Sequence, residues 1–444
     1  MHTDPRPLPL FIKAPGVQSV WSDNVIDARA FIARTRFHKP LKNRRIRVVL
    51  YSHDTMGLGH IRRNLLLAQG LSELRLSIDI LLITGARESI NFSLPKNVDL
   101  VVLPALHKSN DGSYRARNLG VELNDLTALR SHIVFSTIKS FQPDLVIVDN
   151  VPRGVNGELD QALQYIREHG AIRCVLGLRD IQDEAEKVIR DWQKQQHLET
   201  IRNFYHSIWV YGDARVYDPG KEYRLPKEIT DKMQYTGYLD RRIPLRDNSK
   251  TDRIPECVVK PFGLCLVGGG QDGAALATAF ASATYPAGMA AVIIAGPHMD
   301  CASMATLRGL ASERPQLKIL NFVAEPEGLL RDAEFIVCMG GYNTVCEVIS
   351  LGKPALIVPR IIPRREQIIR AERLQSLGIT DMMHPHDLSA KSLSHWIASL
   401  PDHHMTSAHD LVDMNGMQRF PQYFLDQIRQ LENPPEHELS YVEL

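Results

Sequence analysis

Short apolar runs recur along the chain, and between them apolar residues return at every third or fourth position. Ile46 to Tyr51 (IRVVLY), Ile78 to Thr84, Val98 to Leu103, Asp144 to Asp149, Cys174 to Leu178 and Ile208 to Tyr211 read as strands buried on both faces. The stretches between them, Leu123 to Phe141 among them, carry helical spacing, so the pattern is strand, helix, strand, and predicts a doubly wound parallel sheet. From Leu239 to Lys260 charges and prolines replace periodicity, as in an interdomain linker. The alternation then resumes with strands at Phe262 to Val267, Ala290 to Ala295, Lys318 to Phe322, Phe335 to Met339 and Ala355 to Val358. The fold class is therefore α/β, with two Rossmann-like doubly wound domains at 46–240 and 263–400 and a linker at 241–262. An irregular, proline-bearing extension (1–45) precedes them, and a terminal helix, Met417 to Leu431, with a polar tail completes 401–444.

Candidate chemistry lies where strands feed helices. Phe335 to Met339 ends in Gly340-Gly341, after which Val345, Val348 and Ile349 mark a helix, and Gly352-Lys353-Pro354 turns into the next strand. Gly340, Gly341, Asn343 and Thr344 thus stand at the carboxyl end of a strand and the start of a helix. There, free N–H groups and the helix dipole favour an anion such as phosphate. Glu347, on the first turns of that helix, can accept hydrogen bonds from a ribose diol; a lone Glu so placed more commonly just complements the dipole. A second loop of this kind, Gly268-Gly269-Gly270-Gln271-Asp272-Gly273, leads into the small-residue helix Ala274 to Ala283. An inward-facing Asp272 would repel a phosphate, so it is expected to point away or cap the helix. A third, Gly57-Leu58-Gly59-His60, follows the first strand, and Arg62 and Arg63 there are placed to meet phosphate or solvent. Asp149, Arg179, Asp180 and Asp213 fall at strand ends facing a cleft, where acids usually cap or turn the chain. The polar stretch Leu106 to Leu119 is a candidate lid.

Composition narrows the classes. The 444 residues exceed one ordinary core. The 52 Lys and Arg nearly balance the 51 Asp and Glu, so no global field draws nucleic acid or an anionic membrane. Six cysteines without a C-x-x-C pair, several in apolar runs, suit reduced core thiols and a cytoplasmic protein. No apolar run is long enough to cross a bilayer, the N-terminus makes no signal peptide, and no D-x-D run or His/Cys cluster offers a metal site.

The string G-G-Y-N-T-V-C-E-V-I-S-L-G-K-P-A-L-I-V-P followed by E-Q-I-I-R-A-E-R-L resembles the donor-binding signature of family 28 glycosyltransferases, at Gly341, Thr344, Glu347, Gly352, Pro354, Pro359, Gln367 and Ala371. Arg370 stands where that family usually has Asn, which puts the contacts to the donor sugar in question. Gly268 to Gln271 matches the family's Gly-Gly-Ser-Gln-Gly-like loop, with Gly270 replacing Ser and Asp272 inserted. G-L-G-H-I-R-R matches in kind its N-terminal loop, and is also similar to the G-x-G-H-x-x-R loop of UDP-sugar hydrolases of the same fold.

The resemblance implies two domains facing across a cleft, the GT-B arrangement. It implies transfer of a hexosyl group from a nucleotide diphosphate sugar, UDP-linked, to the hydroxyl of a carbohydrate or glycolipid acceptor, with inversion and neither metal nor cofactor. Gly268, Gly269, Gly270, Gln271, Gly340, Gly341, Asn343 and Thr344 would hold the donor diphosphate, Glu347 the ribose, Phe322 and Val323 the base, and Gln367 the sugar hydroxyls. Gly57, Gly59 and Arg62 would form the acceptor and diphosphate loop, with His60 as base. Peripheral membrane contact is compatible with such acceptors. A hydrolase or epimerase acting on the same donor, or a non-catalytic nucleotide-sugar binding protein, fits the same residues.

Overall fold

The computed structural model describes residues 45–54, 58–108, 113–240, 254–323, 326–402 and 407–432. Almost all of the 1–45 extension, Gly57 and most of the 241–262 linker therefore lie outside the described residues.

The first half contains β1 (Ile46–Ser52), β2 (Ile78–Thr84), β3 (Val98–Val102), β4 (Leu106–Lys108), β5 (Tyr114–Ala116), β6 (Leu145–Asp149), β7 (Arg173–Arg179), β8 (Ser207–Tyr211) and β9 (Met233–Tyr235). Seven of these form one parallel sheet in the order β3-β2-β1-β6-β7-β8-β9. The second half contains β10 (Phe262–Leu266), β11 (Ala290–Ile294), β12 (Leu317–Leu320), β13 (Phe335–Cys338), β14 (Ala355–Ile357) and β15 (Asp381–Met382), in a parallel sheet ordered β12-β11-β10-β13-β14-β15. Phe262, where the sequence reading let linker and strand overlap, is the fully buried first residue of β10. β12 stops at Leu320, two residues short of the expected strand end, so Phe322 and Val323 lie in a loop. The expected lid is not a plain loop: β4 and β5 pair as an antiparallel hairpin, and Leu106 is buried with Leu126 and Val155 beneath it. The tip of the hairpin falls outside the described residues.

The strand orders explain where a site can form. In the first sheet the order reverses between β1 and β6, and in the second between β10 and β13. At such a switch point the two following loops leave in opposite directions and open a crevice at the strands' carboxyl ends. The loop after β1 leads to α1 (Gly59–Ser72). After α2 (Leu123–Phe141) comes β6, which ends on Asp149. In the second half, the loop after β10 leads to α3 (Ala274–Ser282) and the loop after β13 to α4 (Tyr342–Ser350). α5 (Glu366–Ser376) follows β14. The terminal helix α6 (Gly416–Glu432) returns to the first half, where Phe420 packs edge-on to Trp209 of β8 at 5.6 Å and Arg173 of β7 donates to Gln427 at 3.1 Å. A single apolar cluster runs from Leu65 and Leu71 of α1 through Tyr238, Phe420 and Phe424 to Tyr342, Val345 and Val348 of α4.

Candidate functional site

On the first half, Asp54 adopts a positive φ of 33° and accepts from Thr84 Oγ1 at 2.6 Å and from the Ile61 amide at 3.1 Å, which pins the start of α1 against the sheet. His60, the second residue of α1, is thereby held over the end of β6. Its Nδ1 lies 2.5 Å from Asp149 Oδ2. One turn on, Arg63 grips the same carboxylate through Nε at 2.9 Å and Nη2 at 2.7 Å. Asp149 is only 1% exposed. Burial by itself would raise its pKa, but the charges and hydrogen bonds of Arg63 and His60 outweigh that and hold the carboxyl well below its ordinary range. An ionised Asp149 accepts from Nδ1–H of His60, which leaves Nε2 as the basic nitrogen. His53 packs beside it, ring centroids 4.8 Å apart, and burial with the neighbouring His60 holds it neutral.

On the second half, Gly268 and Gly270 take φ of +63° and +90°. A Cβ on Gly270 would collide with the Ala295 carbonyl oxygen and approach the Met299 amide to 2.9 Å, so glycine is required where the family loop has Ser. The turn at 295–299 braces this loop, His298 N donating to Gly269 O at 2.9 Å. Asp272 neither points away nor caps α3, whose N-cap is Gly273 without a side-chain bond; it lines the crevice and accepts from Arg360 Nη1 at 3.1 Å, which balances its charge there. α4 begins after Gly341, also without a capping side chain. On α5, Gln367 accepts from the Arg360 amide at 3.0 Å, and Glu366 Oε1 from Arg360 Nη2 at 2.8 Å. Glu366 Oε2 is buried without a partner among the described residues.

These parts line one crevice. Gly59, His60, Arg62 and Arg63 face it from the first half, and Gly268, Gly269, Gly270, Gln271, Phe322, Val323, Gly341, Asn343, Thr344, Glu347 and Gln367 from the second. Glu347 is 5% exposed, whereas Phe322, at 43%, stands at the mouth. Gly340 is set back from the crevice: the Gln367 backbone and Cβ cover it, and its carbonyl accepts from Arg370 Nη1 at 2.7 Å. Gly57 lies outside the described residues.

The two walls are joined. Asn343 Nδ2 donates to Gly59 O at 2.8 Å, helix start to helix start. Arg370, fully buried, pairs with fully buried Asp180 at the end of β7 through bonds of 2.6 and 2.8 Å. The residue that replaces the family's Asn is therefore an interdomain tie. The Tyr342 ring meets both Arg63 and Arg370, whose guanidinium carbons are 5.4 and 5.8 Å from its centroid.

Of the four strand-end residues, Asp180 and Asp213 serve structure, the latter bonding Arg215 at 2.6 Å and the Asp413 amide at 2.7 Å. Arg179 lines the crevice, and Asp149 is buried behind the crevice-lining His60. The sequence reading missed His298, Arg360 and Glu366, which also line it; Arg63, 2% exposed, is not in solvent and holds Asp149. A Glu-Gln pair opening a helix after a Pro-ended strand was the available signal for Glu366. Among the described residues, no helix is long and apolar enough to cross a membrane.

Comparison with known proteins matches residues 264–416 to the glycosyltransferase family 28 C-terminal domain. The UDP-N-acetylglucosamine–N-acetylmuramyl-(pentapeptide) pyrophosphoryl-undecaprenol N-acetylglucosamine transferase of Glaesserella parasuis serovar 5 (strain SH0165) is 32% identical over 89 residues, 20% of this chain and 23% of that protein. The chain thus spans about a quarter of the length of the curated relatives it matches first. Among solved structures, the calicheamicin glycosyltransferase CalG4 superposes with a TM-score of 0.52 at 15% identity, over 90% of this chain and 100% of that one. The UDP-GlcNAc 2-epimerase from Neisseria meningitidis, solved with UDP-GlcNAc, gives 0.57 at 11% identity, over 86% and 100%. The second domain of this chain matches the glycosyltransferase family 28 C-terminal domain, and the two-domain molecule that carries it has the GT-B fold.

Proposed function

We propose that the chain transfers a hexosyl group from a UDP-linked sugar to an acceptor hydroxyl. One observation carries this reading: an oriented His60–Asp149 pair faces, across a single crevice, the uncapped start of α4 and the positive-φ glycine loop after β10. The amides of those two loops would bind the donor diphosphate and stabilise the charge that develops as it leaves. Glu347 would hold the ribose and Gln367, with Glu366, the sugar hydroxyls. His60 Nε2 would take the acceptor proton while the hydroxyl attacks the anomeric carbon in line, which inverts its configuration. Helix ends in the place of a divalent cation support a metal-independent reaction. The six unbridged cysteines support a reducing compartment such as the cytoplasm. Peripheral contact with a membrane belongs to this reading only if the acceptor is a glycolipid.

Incubation of the protein with a panel of UDP-sugars, with and without candidate acceptors, followed by mass spectrometry, tests the assignment. Acceptor-dependent release of UDP is expected, and His60→Ala should lose at least about 100-fold in turnover while still binding UDP. Rapid release of free sugar, or a changed sugar isomer, in the absence of acceptor would replace transfer by hydrolysis or epimerisation. Undiminished turnover by His60→Ala would remove that residue from the mechanism.

A further inference from the structure

Arg63, Arg360 and Arg370 each hold a carboxylate, those of Asp149, Glu366 and Asp180. Arg179, the last residue of β7, does not. It lines the crevice, makes one long contact of 3.4 Å from Nε to Asn150 Oδ1, and forms no ion pair among the described residues. Its surroundings are cationic: Arg63, Arg364 and Arg370 all act on its charge, opposed by Glu366, which Arg360 already engages. Burial, aided by these like charges, pushes the guanidinium pKa down to about 10. A partly buried cation whose nearest opposing carboxylate is already engaged is under-compensated, and an entering anion would supply the missing charge.

The position of Arg179 indicates which anion. β7 lies beside β6 with Gly177 opposite Asp149, so Arg179 stands on the His60 wall, across the crevice from the glycine loops. The donor diphosphate has its helix ends on the far wall, and the near wall is where the accepting hydroxyl must lie. Resting on the transfer reading above, we infer that Arg179 binds an anionic group of the acceptor, a phosphate or a carboxylate carried near the hydroxyl that receives the sugar.

Calorimetry on the full chain saturated with UDP, titrated separately with glycerol 3-phosphate and with glycerate, tests this. One of the two should bind, and which one does distinguishes phosphate from carboxylate. Arg179→Met should weaken that probe at least about ten-fold and leave UDP affinity within about two-fold, with Arg179→Lys intermediate. Because an under-compensated cation is removed, Arg179→Met should melt no lower than the wild type; if it fails to fold, Arg179→Lys carries the comparison. The inference is overturned if neither probe binds the wild type, if Arg179→Met leaves the probe unaffected, or if its loss falls on UDP, which would give Arg179 to the donor. Failure of the wild type to bind UDP would sink the donor reading instead, and the probe titrations without UDP would still report on Arg179.

Discussion

His60 and Asp149 are 89 positions apart in the chain, and each is ordinary on its own. Together with Arg63 they form a dry, charged cluster whose members depend on one another. Asp149→Asn would leave the Arg63 cation buried without a counter-ion, at an expected cost of about 3–5 kcal/mol in urea unfolding at pH 7. The native carboxyl is harder to protonate than the unfolded one, so its stabilisation is fully present above the unfolded pKa of about 3.9. It is lost progressively as pH falls from there towards the lower native value. Wild type and Asp149→Asn should therefore differ by a constant amount from pH 7 to about 5 and converge in acid; a gap that widened in acid would contradict the assigned charge state. On the other wall, Glu347→Ala should weaken UDP binding about ten-fold or more, as loss of charged hydrogen bonds to a diol would, and an unaltered UDP affinity by calorimetry would remove Glu347 from the donor site.

At the scale of elements, a helix start becomes useful only if the loop before it brings the backbone up to the ligand. Gly270 shows the requirement, with its φ of +90° and the 295–299 turn against its α-carbon. Gly270→Ala should lower stability by more than about 1 kcal/mol, since it combines an unfavourable φ with a backbone collision, and should weaken UDP binding in parallel. Thermal melts and UDP titration on the same preparation read both; a stable variant with reduced affinity would mean that the turn can shift. The spacing of glycines was legible in the sequence because strand and helix periodicities on either side frame the loop. The replacement of Ser by Gly there was visible, but its reason was not, because the obstructing carbonyl belongs to the next β-α turn.

Over the whole molecule, Asp180–Arg370, the cation–π contacts of Arg63 and Arg370 with Tyr342, and the Asn343–Gly59 bond tie the two halves together. Asp180→Ala should cost about 3–5 kcal/mol, because it strands a buried guanidinium, whereas replacing both partners with apolar residues of similar volume should recover much of that loss. Chemical denaturation of the single and double variants gives the comparison, and additive losses would show that the pair's charges do not matter to one another. The terminal helix α6, lying on the first sheet after the chain has completed the second, adds a further tie between the halves.

Local pattern alone determined that the chain makes two parallel α/β sheets, because buried strands and amphipathic helices have different periods that survive without tertiary context. It also marked the glycine loops, while Glu347 and His60 stood out through the resemblance of their strings to family 28 glycosyltransferases. Tertiary structure alone decided that Asp149 orients His60, that Arg370 faces Asp180 rather than a sugar, and that Arg179 forms no ion pair among the described residues. Those facts depend on the order in which strands line up in a sheet and on how two sheets meet, and side chains brought together across such distances leave no periodic trace along the chain.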